Sequence, residues 1–183
     1  MLELKCGRPD DFTSRADVEK AVYTFLDNLN ITYQRLDHEP AFTMEICQQI
    51  DKSLGALICK NLFLTNRQKT DFYLLMMPAD KVFKTKELSK ALGVSRLSFG
   101  EESKMVELMG TTAGSASVMG LINDKDKKVH LVIDEDVLNE EYFGCHPCVN
   151  TSSLRIRTRD LTDVILKNLE ITYTAVTLAG DVQ

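Results

Sequence analysis

The run CKNLFLTNRQKTDFYLLMM, residues 59–77, decides the fold. Cys59 to Thr65 and Phe72 to Met77 are apolar stretches flanking the polar turn Asn66-Arg67-Gln68-Lys69-Thr70, so together they read as a β-hairpin. Tyr73-Leu74-Leu75-Met76-Met77 is apolar at successive positions, the pattern of a strand covered on both faces. Working outward, Val18, Ala21, Val22, Phe25, Leu26 and Leu29 recur at helical spacing, which predicts a helix over Ser14–Asn28 with Ser14 as its cap. Ile31 to Leu36 reads as a short strand ending before Pro40, and Thr43 can cap a helix through Ile50. Thr85 to Leu92 is a compact helix closed by Gly93, and Glu101 to Met109 is another, followed by Gly110. A tight glycine loop then leads into a predicted strand at Met119–Ile122. Val129–Ile133 and Leu154–Arg157 read as further strands, and Thr158 as the cap of a last helix to Leu169. Strands and helices interleaved in one run, with no internal repeat and no low-complexity linker, give an α/β fold: a single domain with a mixed central β-sheet flanked by helices.

The chain has 183 residues, of which 44% are hydrophobic, enough for one domain with a sizeable core. No apolar run approaches the roughly 20 residues of a membrane span. The segment Met1 to Asp11 has no apolar core, unlike a signal peptide, so the expected compartment is the cytoplasm and no membrane partner is expected. Five cysteines are an odd, scattered set, read as reduced thiols rather than a disulfide framework. Cys145 and Cys148 form a C-x-x-C around His146-Pro147. A redox pair usually opens a helix after a strand, whereas Val149-Asn150-Thr151 leads into a strand. A structural zinc site needs four ligands, and no second pair has suitable spacing. The pair is read as incidental, and neither a metal nor an organic cofactor is expected.

The net charge is −5, but it is unevenly spread. Between Lys52 and Lys104 there are ten Lys/Arg and five Asp/Glu, against twelve and twenty-two in the remainder. A basic middle in an acidic chain can focus an anionic ligand on one face; equally, lysines at 81–90 suit a solvated helix. The three histidines are His38, His130 and His146. No G-x-S-x-G elbow, P-loop or metalloprotease motif occurs, which removes the commonest hydrolase and nucleotidase templates.

Six motifs follow in order: H-x-P-x-F-T at His38 to Thr43, K-N-L-F-L at Lys60 to Leu64, and L-G-V-S-R-L-S-F at Leu92 to Phe99. G-x-x-x-G-S at Gly110 to Ser115, G-L-I-N-D at Gly120 to Asp124, and H-P-x-x-N-T at His146 to Thr151 complete them. Each is unspecific alone. As a series, from about Val18 to Leu169, they resemble the prolyl-tRNA editing domains of the YbaK/ProX-like family, most of all its freestanding, PrdX-like branch that deacylates alanyl-tRNA(Pro).

The resemblance implies hydrolysis of the aminoacyl ester at the tRNA 3′ end, with mischarged tRNA(Pro) as partner and prolyl-tRNA synthetase as a possible second one. It implies an editing domain over 14–170, with extensions at 1–13 and 171–183. Lys60 and Asn61 match the family's functional Lys-Asn pair, and Gly110, Gly114 and Ser115 its loop beside the amino-acid pocket. His146 and Asn150 match the H-P-x-x-N loop, and Thr43 falls with them on the substrate side. The expected catalytic set is therefore Lys60, Asn61, Gly114 and Ser115; the expected substrate-binding set is His146, Asn150, Gly110 and Thr43. The family often reads G-V-T-P-G-S-V-T-P here. This chain carries Ala113 and Val118 in place of both prolines, a departure that bears on the size limit of the pocket. Without the resemblance, Lys60 reads as a surface lysine and His146 as a ring bonded to a turn backbone. His38 reads as orienting the turn before Pro40, and His130 as a surface residue of a strand.

Overall fold

The computed structural model of the protein describes residues 2–40 and 44–180, with backbone alone over 44–48. Nine strands form one mixed sheet: β1 (Leu4–Cys6), β2 (Tyr33–Asp37), β3 (Leu57–Thr65), β4 (Phe72–Pro78), β5 (Ser98–Phe99), β6 (Val129–Asp134), β7 (Tyr142–Cys145), β8 (Ser152–Arg157) and β9 (Tyr173–Val176). Their order is β1-β2-β8-β7-β3-β4-β6-β9, with β5 added to β3. The expected hairpin is β3–β4, antiparallel with Lys60 opposite Met77 and Thr65 opposite Phe72. β4 and β6, and β6 and β9, run parallel; so do β3 and β7.

Helices cover both faces, as a strand like β4 requires. On one face lie α1 (Asp17–Asn28), α4 (Glu102–Met109) and α6. The last begins as Thr158–Asp160, widens to π-type bonding over Leu161–Ile165 and closes as Leu166–Asn168. Their Val22, Tyr23, Leu26, Met105, Met109, Leu161 and Ile165 pack with Phe63, Leu74, Met76 and Ile133 in the main core. On the other face α2 (Met44–Leu54) brings Ile50 and Leu54 to Leu36, while α3 (Thr85–Leu92) brings Leu88 to Leu64, Leu75 and Met77. A one-turn α5 (Glu135–Leu138) follows β6. α3 and α4 end on Gly93 and Gly110 at φ of 65° and 66°, the left-handed closure expected of both.

Three expectations are corrected. Met119–Ile122 is not a strand but part of a 3-10 turn, Val118–Ile122. Val118, Met119, Gly120 and Leu121 are all buried, and a short apolar run does not distinguish a strand from a buried helical turn. Ser14 does not cap α1. Its hydroxyl donates back to the Asp11 carbonyl (2.8 Å) within a separate 3-10 turn, Phe12–Ser14, and extended backbone at Arg15 delays the helix to Asp17. Thr158 is the first helical residue of α6 rather than its cap, which falls on Arg157.

The feature that positions the site is a break along one edge of β3. β7 pairs with β3 only at Leu57–Phe143 and Ile58–Gly144, and β5 only at Leu64–Phe99 and Thr65–Ser98. Between them, over Cys59–Leu62, no described strand lies on that side of β3. Gly144 marks where the seam opens: a Cβ there would lie 2.7 Å from Ile58 Cδ1 and Leu54 Cδ2, so a larger residue would force the ends of those two side chains to shift.

Candidate functional site

Lys60 and Asn61 occupy this seam. Because successive strand side chains alternate, they leave it on opposite faces. Lys60 shares the face of its partner Met77 and of Leu62 and Leu64, packed with α3; Asn61 shares the face of Met76, Cys59 and Phe63, within the main core. The ammonium of Lys60 donates to the carbonyls of Ala79 (3.2 Å) and Lys81, pinning the loop after β4. Partial burial holds its pKa below that of an ordinary lysine, opposed by the nearby charge of Asp80. An ammonium has three donors, so one N–H remains unbonded among the described residues. The amide oxygen of Asn61 is buried with no described hydrogen-bond partner, an arrangement that costs stability unless a ligand or water completes it.

On the Asn61 face the turn after β7 meets the glycine loop. The Ser117 hydroxyl, fully buried, donates to the carbonyl of His146 (2.5 Å) and accepts from the Met119 amide (3.1 Å). His146 Nδ1 lies 2.9 Å from the Ser152 carbonyl. A carbonyl only accepts, so Nδ1 carries the proton and Nε2 is left as an acceptor while the ring is neutral. Burial depresses the imidazole pKa, which keeps it neutral. Behind it the Tyr23 phenol donates to Glu19 (3.1 Å) and lies 3.2 Å from the Ser152 hydroxyl, while Arg15 pairs with Glu19 (3.2 Å). This buried polar chain fixes the start of β8 against α1. His38 lies 6.3 Å from His146, ring to ring, and is tied to the Glu39 carbonyl (2.8 Å) and Ser153 hydroxyl (3.0 Å), which orients the turn before Pro40.

The glycine loop is ordered without the family prolines. The Ser115 amide and hydroxyl both reach back to the Thr112 carbonyl (3.1 and 3.2 Å), and the Ala113 amide donates to Glu102 (2.8 Å). Ser115 therefore spends its side chain inside its own turn. Gly114 is exposed with φ of 86°, a left-handed conformation that suits glycine. At Gly110 a Cβ would press to 2.9 Å of the Asn123 amide, which in turn holds the Met109 carbonyl (2.9 Å). Asn150 is half-buried in the turn after Cys148, whose φ is 65°. Thr43 lies outside the described residues.

The structure thus brings His146 to the glycine loop and sets Lys60 and Asn61 on the two sides of one seam. Ser117, Tyr23 and Ser152 were not singled out from the sequence; nothing local marks a serine that bonds a carbonyl 29 residues away. Cys145 and Cys148 are buried, and burial pushes the Cys145 thiol up to about 12 and Cys148 up as well, the reverse of a reactive thiolate. Among the described residues no group of three or more His, Cys, Asp or Glu converges as a metal site would need, and no helix is long and apolar enough to cross a membrane.

Comparison with known proteins identifies the family and the fold. A family model described as an aminoacyl-tRNA editing domain matches residues 38–164. Prolyl-tRNA editing protein ProX of Acetoanaerobium sticklandii is 30% identical over 152 residues, covering 83% of this chain and 93% of that protein. Prolyl-tRNA synthetase associated domain-containing protein 1 of Danio rerio is 30% identical over 168 residues, covering 90% and 89%. Among solved structures, a candidate trans-editing enzyme for prolyl tRNA synthetase superposes with a TM-score of 0.67 at 14% identity, covering 91% of this chain and all of that one. At that identity the likeness establishes the fold alone.

Proposed function

Since the chain belongs to the aminoacyl-tRNA editing domain family, we propose that it is a trans-editing hydrolase that removes alanine from mischarged tRNA(Pro). The observation that carries this reading is the seam in β3. It offers a lysine whose ammonium is held in place by two carbonyls and, from the next residue, an amide oxygen with no partner among the described residues, both at one break of the sheet.

The physical logic is that of a double sieve. A site built to hold proline cannot strongly reject alanine, because a few missing methylenes are worth only about 1–3 kcal/mol. A second site too small for proline supplies the missing discrimination. The aminoacyl ester is already activated, so no nucleophilic side chain is required. Water adds to the ester carbonyl, the bond from the carbonyl carbon to the ribose oxygen breaks, and that oxygen leaves with a proton, assisted by the neighbouring ribose hydroxyl. The remaining N–H of Lys60 stabilises negative charge on the terminal phosphate or ester oxygen by a charge-assisted bond. Asn61 and the backbone amide of Gly114 orient the carbonyl and the water, while Ser115, whose amide and hydroxyl both close onto the Thr112 carbonyl, holds that turn in shape. His146, Asn150, Gly110 and Thr43 belong to the substrate side, and the synthetase that charges tRNA(Pro) is the natural source of the substrate.

The test is release of labelled amino acid from Ala-tRNA(Pro) and Pro-tRNA(Pro) by the wild-type protein and Lys60→Ala. Rapid loss of alanine but not proline, abolished in the variant, is expected. Equal rates for the two proteins would remove Lys60 from the site. Release of serine or cysteine instead of alanine would reassign the substrate, and binding without release from any ester would make the protein a tRNA-binding module.

A further inference from the structure

The face of the sheet that carries Lys60 continues into a feature the hydrolytic step does not use. Two open depressions meet there, sharing Thr85 and Phe99. One, about 660 Å³, is lined by Lys60, Phe83 and Lys86; the other, about 600 Å³, by Arg67 and Arg96. Among the described residues no carboxylate lines either, in a chain of net charge −5. Phe99 is 62% exposed, unusual for so large an apolar side chain, and its ring meets Phe83 edge-on at 5.9 Å. It is not a loose side chain. β5 pairs it with Leu64, on the same face as Lys60, and Gly100 allows this because a Cβ there would strike the Phe63 ring at 2.4 Å. The Gly100 amide bonds the Phe63 carbonyl (2.9 Å) and locks the arrangement.

We infer that this face holds the unpaired 3′ strand of an RNA, with a base stacked on Phe99 and its phosphates against Arg67, Lys86 and Arg96, leading the 3′ terminus to Lys60. The inference rests on the tRNA-directed reading above and gives it a surface. A rigidly presented, solvent-exposed aromatic among cations is what sequence-tolerant binding of single strands uses, since every base has a stacking face and every nucleotide a phosphate. A duplex offers no unstacked base to such a ring. From Lys60 to Leu64, beside which Phe99 sits, is about 13 Å along β3, a span that a short run of nucleotides covers.

The experiment measures anisotropy of a fluorescein-labelled single-stranded RNA ending in CCA, without an amino acid, against a hairpin duplex of the same length. Wild type is expected to prefer the single strand. Phe99→Ala is expected to weaken it about tenfold, with Phe99→Tyr restoring binding, and Arg67→Ala with Arg96→Ala to lower the slope of log affinity against log salt by about 1.4. All three side chains are exposed, and thermal unfolding checks that the variants fold. Unchanged binding by Phe99→Ala overturns the inference. So does equal binding of the duplex or of polyglutamate, which would make this a general surface for acidic partners. Because the probe carries no ester, the two readings separate: Phe99-dependent binding without deacylation sinks the hydrolase and leaves the surface, and deacylation with Phe99-independent binding does the reverse.

Discussion

Lys60 stands opposite Met77 and its neighbour Asn61 opposite Met76, so two consecutive side chains of β3 face opposite sides of the sheet. One is open to the basic face; the other, half-buried, turns its enclosed amide oxygen to the face of the main core. β7 leaves β3 after Ile58 and β5 joins it at Leu64, which opens the sheet between them; in the proposed site a single substrate reaches both side chains through that opening.

The buried, unpartnered amide oxygen of Asn61 gives a prediction in which stability and function part. Asn61→Leu removes an uncompensated polar atom beside Met76, so the melting temperature is expected to hold or rise while deacylation falls. Melting curves and single-turnover rates on the same preparation check it; parallel loss of both would make Asn61 structural.

Tyr23 is fully buried, and its hydroxyl connects Glu19 on α1 to Ser152 on β8. Tyr23→Phe leaves both partners short of a bond in a dry site and is expected to cost about 1–3 kcal/mol in urea unfolding. A neutral result would mean that Glu19 and Ser152 rearrange onto each other.

The Ser117 hydroxyl ties the glycine loop to the His146 turn. In Ser117→Ala the loop loses its bond to the His146 carbonyl. Discrimination between Ala-tRNA(Pro) and Pro-tRNA(Pro) is expected to narrow, with turnover of alanine less affected. An unchanged ratio of kcat/KM values would show that the loop does not set the size limit.

Burial lowers the His146 pKa from the ordinary value near 6.5. The unfolded chain therefore takes up this proton at a higher pH than the folded one. Stability from this residue is complete above about pH 6.5 and is lost as the pH falls below it toward the folded-state value. Thermal melts between pH 8 and pH 5 are expected to show the decline, and His146→Asn to flatten it; identical profiles would mean that His146 is not the group responsible.

At the mouth of the seam, Gly144 has Ile58 and Leu54 where its Cβ would be. Gly144→Val is expected to push β7 from β3 and cost about 1–3 kcal/mol, seen as a lower denaturation midpoint.

The hairpin β3–β4, α3 and α4 with their glycine ends and the mixed sheet were all legible in the chain. They rest on local patterns: alternation, helical spacing and left-handed closure at Gly93 and Gly110. β1, β7 and β9 were not legible. Leu4–Cys6 and Tyr173–Val176 are short and largely exposed, and they are strands because β2 and β6 offer edges, not because of their own composition. Val118–Ile122 failed as a strand for a related reason: burial all round erases the period by which the two structures differ.

The same division runs through the site. The order of motifs identified Lys60, Asn61, the glycine loop and the His146 turn, because residue types at fixed spacing are a property of the chain. Which groups meet is a property of the sheet. The pinning of Lys60 by the carbonyls of Ala79 and Lys81, the unpartnered Asn61, Ser117 on His146 and Phe99 held at the surface all depend on strands brought together from distant parts of the sequence. A one-dimensional pattern specifies which face a side chain takes within its own element; only the packed sheet specifies what it finds there.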